Sequence, residues 1–171
     1  TFTLITGATS SIGKEIARNR CKTDNLVLHG RNMDALSNLA SELGSVKDIK
    51  VWCHDFKKID ELHRDFTQML DIGGIKVSKV VHAAGYLKIM PFRALKLEDT
   101  LDIFSVNVFS IIEILRVLTC KAHKDNLESV VMMSAFFSKF GDRGKAVYSS
   151  SKGALNSLIK VPCPLAVEFQ S

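Results

Sequence analysis

The sequence predicts a doubly wound α/β fold, in which a parallel sheet carries helices on both faces. Three observations predict it. Short, continuously apolar runs alternate along the chain with segments of helical periodicity, and a glycine-rich turn follows the first run. The chain also has 171 residues, 46% hydrophobic and 24% charged, enough for a single domain with a sizeable core.

The elements follow in order. Residues 2–6 (FTLIT) form the first apolar run and end on Gly7, and residues 12–22 have helical character. Residues 26–29 (LVLH) are the second run; 33–43 (MDALSNLASEL) place apolar residues at helical spacing. A strand at 49–53 (IKVWC), a helix at about 58–70 and a strand at 77–82 (VSKVVH) come next. The pattern then predicts a long helix over 97–122, a strand at 129–133 (SVVMM) and a helix starting near 146. Strands that alternate with helices pair in parallel through right-handed crossovers, and continuous apolar strands have both faces covered. We expect one domain over 1–171.

Composition narrows the function. Lys and Arg number 23 against 18 Asp and Glu, a net charge of +5, but no basic run of four or more occurs. The basic residues are scattered as on an ordinary enzyme surface, so neither nucleic acid nor a membrane is expected as a partner. No apolar stretch approaches the roughly 18 residues of a membrane span, and nothing reads as a secretion signal, so a cytoplasmic protein is expected. Cys21, Cys53, Cys120 and Cys163 lack paired spacing and fit reduced thiols. The five histidines, at 29, 54, 63, 82 and 123, show no paired ligand spacing, so no metal is expected.

In doubly wound sheets, ligands bind beyond the carboxyl ends of the strands. The turn Thr6-Gly7-Ala8-Thr9-Ser10-Ser11-Ile12-Gly13 lies there. Gly7 permits a sharp turn, Ser10 and Ser11 can cap the helix, and free N–H groups at its start attract phosphate. Gly13 permits close approach of helix and sheet. After the second strand, His29-Gly30-Arg31 carries no acid for a ribose 2′-hydroxyl. An arginine there pairs instead with a 2′-phosphate, so NADP(H) is expected over NAD(H). In Tyr148-Ser149-Ser150-Ser151-Lys152, the i, i+4 spacing puts Tyr148 and Lys152 on one helical face.

With the glycine turn, that pair makes the chain resemble the short-chain dehydrogenase/reductase family from Thr1 to about Lys160. Thr6-Gly7 through Gly13 resembles the family's T-G-x-x-x-G-x-G turn, with Ser11 where the middle glycine is usual. His54-Asp55-Phe56 resembles the segment that holds the adenine ring. His82-Ala83-Ala84-Gly85 resembles the family's N-A-A-G, with His82 replacing asparagine, and Asn107 matches the catalytic asparagine. The resemblance implies a Rossmann-type dinucleotide-binding domain that moves hydride between NADP(H) and a small carbonyl or alcohol. Tyr148 would be the general acid, Lys152 would lower its pKa and hold the nicotinamide ribose, and Asn107 would hold a relay water. It further implies a homodimer or homotetramer through the 97–122 helix and the helix carrying Lys152. Leu101, Phe104, Val108, Ile111, Ile112 and Leu115 make that long helix apolar over too broad a surface for one sheet-facing stripe.

The pattern breaks in two places. Counting back from Tyr148, Ala135 stands at the family's catalytic serine. Either a bulge or a longer loop between 135 and 147 brings Ser134 into that place, or alanine is the occupant; losing such a donor costs about 10²–10³ in rate. A catalytically weak NADP-binding module, acting as sensor or scaffold, is therefore the alternative reading. Beyond Lys160, Val161-Pro162-Cys163-Pro164 would break the helix, and the resemblance implies that the C-terminal strands are missing.

Overall fold

The computed structural model describes residues 1–44, 47–160 and the backbone of 166–168. Its strands are β1 (Phe2–Thr6), β2 (Asn25–Gly30), β3 (Ile49–Cys53), β4 (Val77–His82), β5 (Ser129–Met132) and β6 (Ala166–Glu168). They form one parallel sheet in the order β3-β2-β1-β4-β5-β6. The order reverses direction between β1 and β4, so the loops leaving these neighbours diverge and open a crevice between them. β1, β2 and β4 are buried along almost their whole length because they lie at the centre with both faces covered.

Helices α1 (Ser11–Arg20) and α2 (Met33–Leu43) cover one face; α3 (Ile59–Gly73), α5 (Ser110–Leu118) and α7 (Ala146–Leu158) cover the other. Ile5, Leu26, Leu28, Leu36 and Leu39 pack under α1 and α2. Leu4, Val27, Phe66, Val80, Ile111, Ile114 and Leu155 fill the other side.

The single helix expected over 97–122 is more articulated. It runs as α4 (Leu97–Phe104), a π-helical turn Ser105–Phe109, and α5, and it stops at Leu118. Residues 119–126 form turns instead, because Thr119 and Asn126 bond back to nearby carbonyls. The π turn inserts a residue into the helical register. Its broad apolar surface is divided accordingly: Val108 and Ile111 are buried, while Leu101 and Ile112 remain half exposed. After β5, α6 is a single turn (Phe137–Phe140).

At the C-terminal side, residues 166–168 form a short strand in parallel register with β5, with Val130 opposite Val167. The expectation for residues 161–164 falls outside the described residues. No helix among the described residues is long and apolar enough to cross a membrane.

Candidate active site

A cavity of about 630 Å³ opens over the carboxyl ends of β1, β2, β4 and β5. At one end lies the glycine turn. Gly7 has φ +65°, and a Cβ on it would stand 2.7 Å from Ala84 Cα; that contact explains why small residues follow β4. A Cβ on Gly13 would meet the Gly7 carbonyl oxygen at 2.2 Å, so Gly13 lets the first helical turn close against its own entry loop. Ser10 caps α1, accepting from Gly13 N at 3.0 Å.

Most of the residues singled out in the sequence meet here. Gly7, Thr9, Ser10, Ser11, Ile12, Arg31, Asp55, Phe56, Ala83, Ala84 and Gly85 line the cavity, as do Ser134, Tyr148 and Lys152. Gly13 and Asn107 are not on the wall. Asn107 is fully buried in the π turn, and its amide is spent on the protein. Oδ1 accepts from Tyr86 N at 2.7 Å, while Nδ2 donates to Tyr86 O at 3.2 Å and Ser151 Oγ at 2.8 Å.

Between positions 134 and 135, the wall is Ser134, and Ala135 is not part of it. β5 ends at Met132, so strand alternation no longer dictates which way residue 134 faces. Ser134 Oγ donates to Lys152 O at 3.4 Å.

The electrostatics correct one expectation. Lys152 Nζ donates to Met133 O at 2.7 Å and stands 5.9 Å from the centroid of the Tyr148 ring. Burial lowers Lys152 to about 8. Burial also raises Tyr148, with Lys145 opposing it, so the phenol sits above its ordinary value instead of below. The ammonium is turned toward a carbonyl and is too far from the ring to win.

Several site residues were not read from the sequence. His29, Gly30, Tyr86, Leu87, Val106 and Met133 also line the cavity. His29 stacks on Phe56, ring centroids 3.9 Å apart, accepts from Gly7 N at 3.4 Å, and meets His54 O with Nε2 at 3.0 Å. A histidine ending an otherwise apolar strand was the available signal. Tyr86 is held from outside by Lys57, whose ammonium lies 4.3 Å from its ring and 2.6 Å from Asp102 Oδ2. That pairing raises Lys57 above its ordinary value, through the Asp102 hydrogen bond first.

His29 and His82 are both held to about 3, chiefly by burial. Unfolded, each takes a proton near its ordinary value of 6.5. The unfolded chain therefore binds more protons below that pH. Stability is complete above 6.5 and falls as pH drops toward 3, by up to about 1.4 kcal/mol per pH unit for each histidine. Melting temperatures between pH 7 and 5, roughly above where carboxylates titrate, should fall continuously. A flat profile would remove the two histidines from the account.

The comparisons agree with this architecture. A family profile described as short chain dehydrogenase matches residues 1–167. The chain is 42% identical over 80 residues to an uncharacterized oxidoreductase, dhs-27, of Caenorhabditis elegans, covering 43% of this chain and 10% of that protein. It is 28% identical over 167 residues to a very-long-chain 3-oxoacyl-CoA reductase of Phaeosphaeria nodorum, covering 91% of this chain and 47% of that one. The chain thus spans less than half the length of either relative. A metagenomic short-chain oxidoreductase solved in complex with NADP superposes with TM-score 0.87 at 21% identity, covering 98% of this chain and 80% of that one.

Proposed function

The chain belongs to the short-chain dehydrogenase family, and from that premise we propose that it transfers hydride between NADP(H) and a small carbonyl or alcohol substrate. One observation carries the reading: Tyr148, Lys152 and Ser134 share a cavity with the glycine turn and the start of α1. The residues fit a dinucleotide. Added Cβ atoms at Gly7 and Gly13 would fill the turn, and cavity-lining Ser10, Ser11 and Ile12 begin a ten-residue helix whose free N–H groups suit a pyrophosphate. Asp55 and the segment at Phe56 would hold the adenine ring. Exposed Arg31, which makes none of the ion pairs among the described residues, would take the 2′-phosphate.

When bound, the nicotinamide supplies or accepts the hydride. In reduction, Tyr148 Oη gives its proton to the carbonyl oxygen while hydride reaches the carbon. Burial keeps the phenol protonated at neutral pH, the form that donates. Ser134 Oγ is the donor that steadies the substrate oxygen, in preference to an empty alanine position. Lys152 holds positive charge under the site and bonds the ribose hydroxyls.

Proton return is supported by a gap at Gly85. A Cβ there would lie 3.7 Å from Lys152 Nζ and 3.8 Å from Asn107 Oδ1, ordinary contact distances, and its φ is not positive. Glycine leaves space between an ammonium and an amide oxygen, which suits one water. Gly85→Ala should fold normally yet displace that water. The expected loss in kcat is about 10²-fold, the low end for an acid–base group. Stopped-flow rates at full cofactor saturation measure it, and a wild-type rate would remove the water from the mechanism.

Self-association belongs to the same reading. The outward apolar residues Leu97, Leu101 and Ile112 on α4 and α5 support it. We read 1–171 as one dinucleotide-binding domain and a cytoplasmic location as the simplest.

Fluorescence titration with NADPH beside NADH tests the cofactor assignment, followed by turnover on a carbonyl panel that includes 3-oxoacyl thioesters. NADPH should bind preferentially. Arg31→Ala should weaken NADPH by about 10–100-fold, the worth of a charge-assisted bidentate pair, and leave NADH unchanged. NADH preference in the wild type would overturn the Arg31 assignment; binding without turnover would favour the sensor or scaffold reading.

A further inference from the structure

His82 joins two parts of the site that no single element connects. It is fully buried, as are Thr6 and Asn107. Its Nδ1 lies 2.9 Å from Thr6 Oγ1, and its Nε2 lies 3.2 Å from the Asn107 carbonyl oxygen. A carbonyl only accepts, so Nε2 carries the ring proton and Nδ1 accepts from the Thr6 hydroxyl. Thr6 Oγ1 in turn accepts from Ala84 N at 3.1 Å. The bonds therefore run one way: Ala84 N–H to Thr6, Thr6 O–H to His82, His82 Nε2–H to Asn107.

Each end of this chain reaches working parts. Thr6 precedes Gly7, whose backbone rests on Ala84. Asn107 binds Ser151, which also donates to Tyr148 O at 2.7 Å, and both lie on α7 with Lys152. The π turn is the segment where Asn107 lies, and the imidazole bonds its backbone directly.

We propose that His82 is a positioning residue for the hydride-transfer reaction, holding the Asn107 π turn, and through Ser151 the Tyr148–Lys152 helix, in fixed register with the cofactor-phosphate turn. The inference rests on the activity proposed above. Its two bonds are separable, because an asparagine side chain ends where Nδ1 stands and a glutamine side chain ends where Nε2 stands.

The test compares His82→Asn, His82→Gln and wild type in NADPH titration, steady-state kinetics and backbone-amide NMR. His82→Asn keeps the Thr6 bond and loses the Asn107 bond. It should bind NADPH within about twofold of wild type while kcat falls about tenfold or more. His82→Gln should recover kcat to within about threefold and instead weaken NADPH several-fold. In the NMR spectra, the first variant should shift Val108 and Ser151 and spare Gly7 and Ala84; the second should do the reverse. Equal kcat in His82→Asn and wild type, or unchanged Val108 and Ser151 resonances in it, overturns the proposal. Side-chain nitrogen NMR of the wild type reads the tautomer whether or not either variant folds, and a proton on Nδ1 overturns it too. If the wild type binds no cofactor, the proposed activity fails, and the amide shifts still decide whether His82 couples the two turns.

Discussion

Tyr148→Phe should abolish most turnover while leaving cofactor binding nearly intact. The phenol hydroxyl is the only proton donor of that position in the proposed mechanism, and a positioned acid contributes about 10²–10⁴ in rate. The ring itself remains, so α7 and the cavity wall keep their shape. The pH profile gives a second readout. Burial raises Tyr148, so the phenol stays protonated through neutrality, and it lowers Lys152 to about 8. In the reductive direction the wild-type rate should be level below pH 8 and decline above it, as Lys152 loses its charge before the phenol loses its proton. Steady-state kinetics at saturating NADPH across pH 6–10, a range chosen to bracket roughly both titrations, measure both effects. A Tyr148→Phe enzyme with wild-type kcat would dismiss Tyr148 as the acid.

Gly13→Ala should destabilise the protein severely. In an exposed helix this exchange gains about 1 kcal/mol, because alanine favours helix and glycine does not. Here the new Cβ would stand 2.2 Å from the Gly7 carbonyl oxygen and 2.8 Å from Ala8 Cα. Both are backbone atoms of the tight turn, and Gly7 is itself locked against Ala84, so nothing nearby can yield cheaply. Overpacking of this kind costs about 3 kcal/mol or more, an appreciable share of a small domain's stability. Chemical denaturation by circular dichroism checks it, with Gly44→Ala as contrast. Nothing among the described residues lies within 4 Å of a Cβ at Gly44, so only its φ of +76° opposes the change. A Gly13→Ala protein as stable as wild type would mean that α1 can retreat from β1.

The sheet and the glycine turn were legible in the sequence because they rest on local rules. Apolar runs such as Leu26-Val27-Leu28 mark central strands, and Gly7 and Gly13 sit where no other side chain fits. The i, i+4 spacing brought Tyr148 and Lys152 to one cavity because α7 is regular there. What escaped depends on distant partners. The π turn has no local signal, since its residues, Ser105–Phe109, read as plain helix. Asn107 turned inward to Tyr86 and Ser151, contacts 21 and 44 residues away. His29 and His82 read as ordinary strand residues until the fold supplied Gly7, His54, Thr6 and Asn107 as partners. Ser134 was undecidable by counting, because α6 and two glycines of positive φ, Gly141 and Gly144, occupy the loop before Tyr148.

The central place of β1 shapes how the molecule assembles. Its partner on one side, β2, follows closely in the chain, but β4 arrives only after two further helices, with Ile5 beside Val81. Gly7 cannot settle until Ala84 is beneath it, and Thr6 lacks its acceptor until His82 has docked. The glycine-turn end of the cavity should therefore form late in folding, delayed by the loop-closure entropy of a long-range parallel pairing. A nascent chain carrying only β1 to β3 has its entire glycine turn in sequence and no site to show for it. The final shape of the turn and the pairing of β1 with β4 arrive as one event.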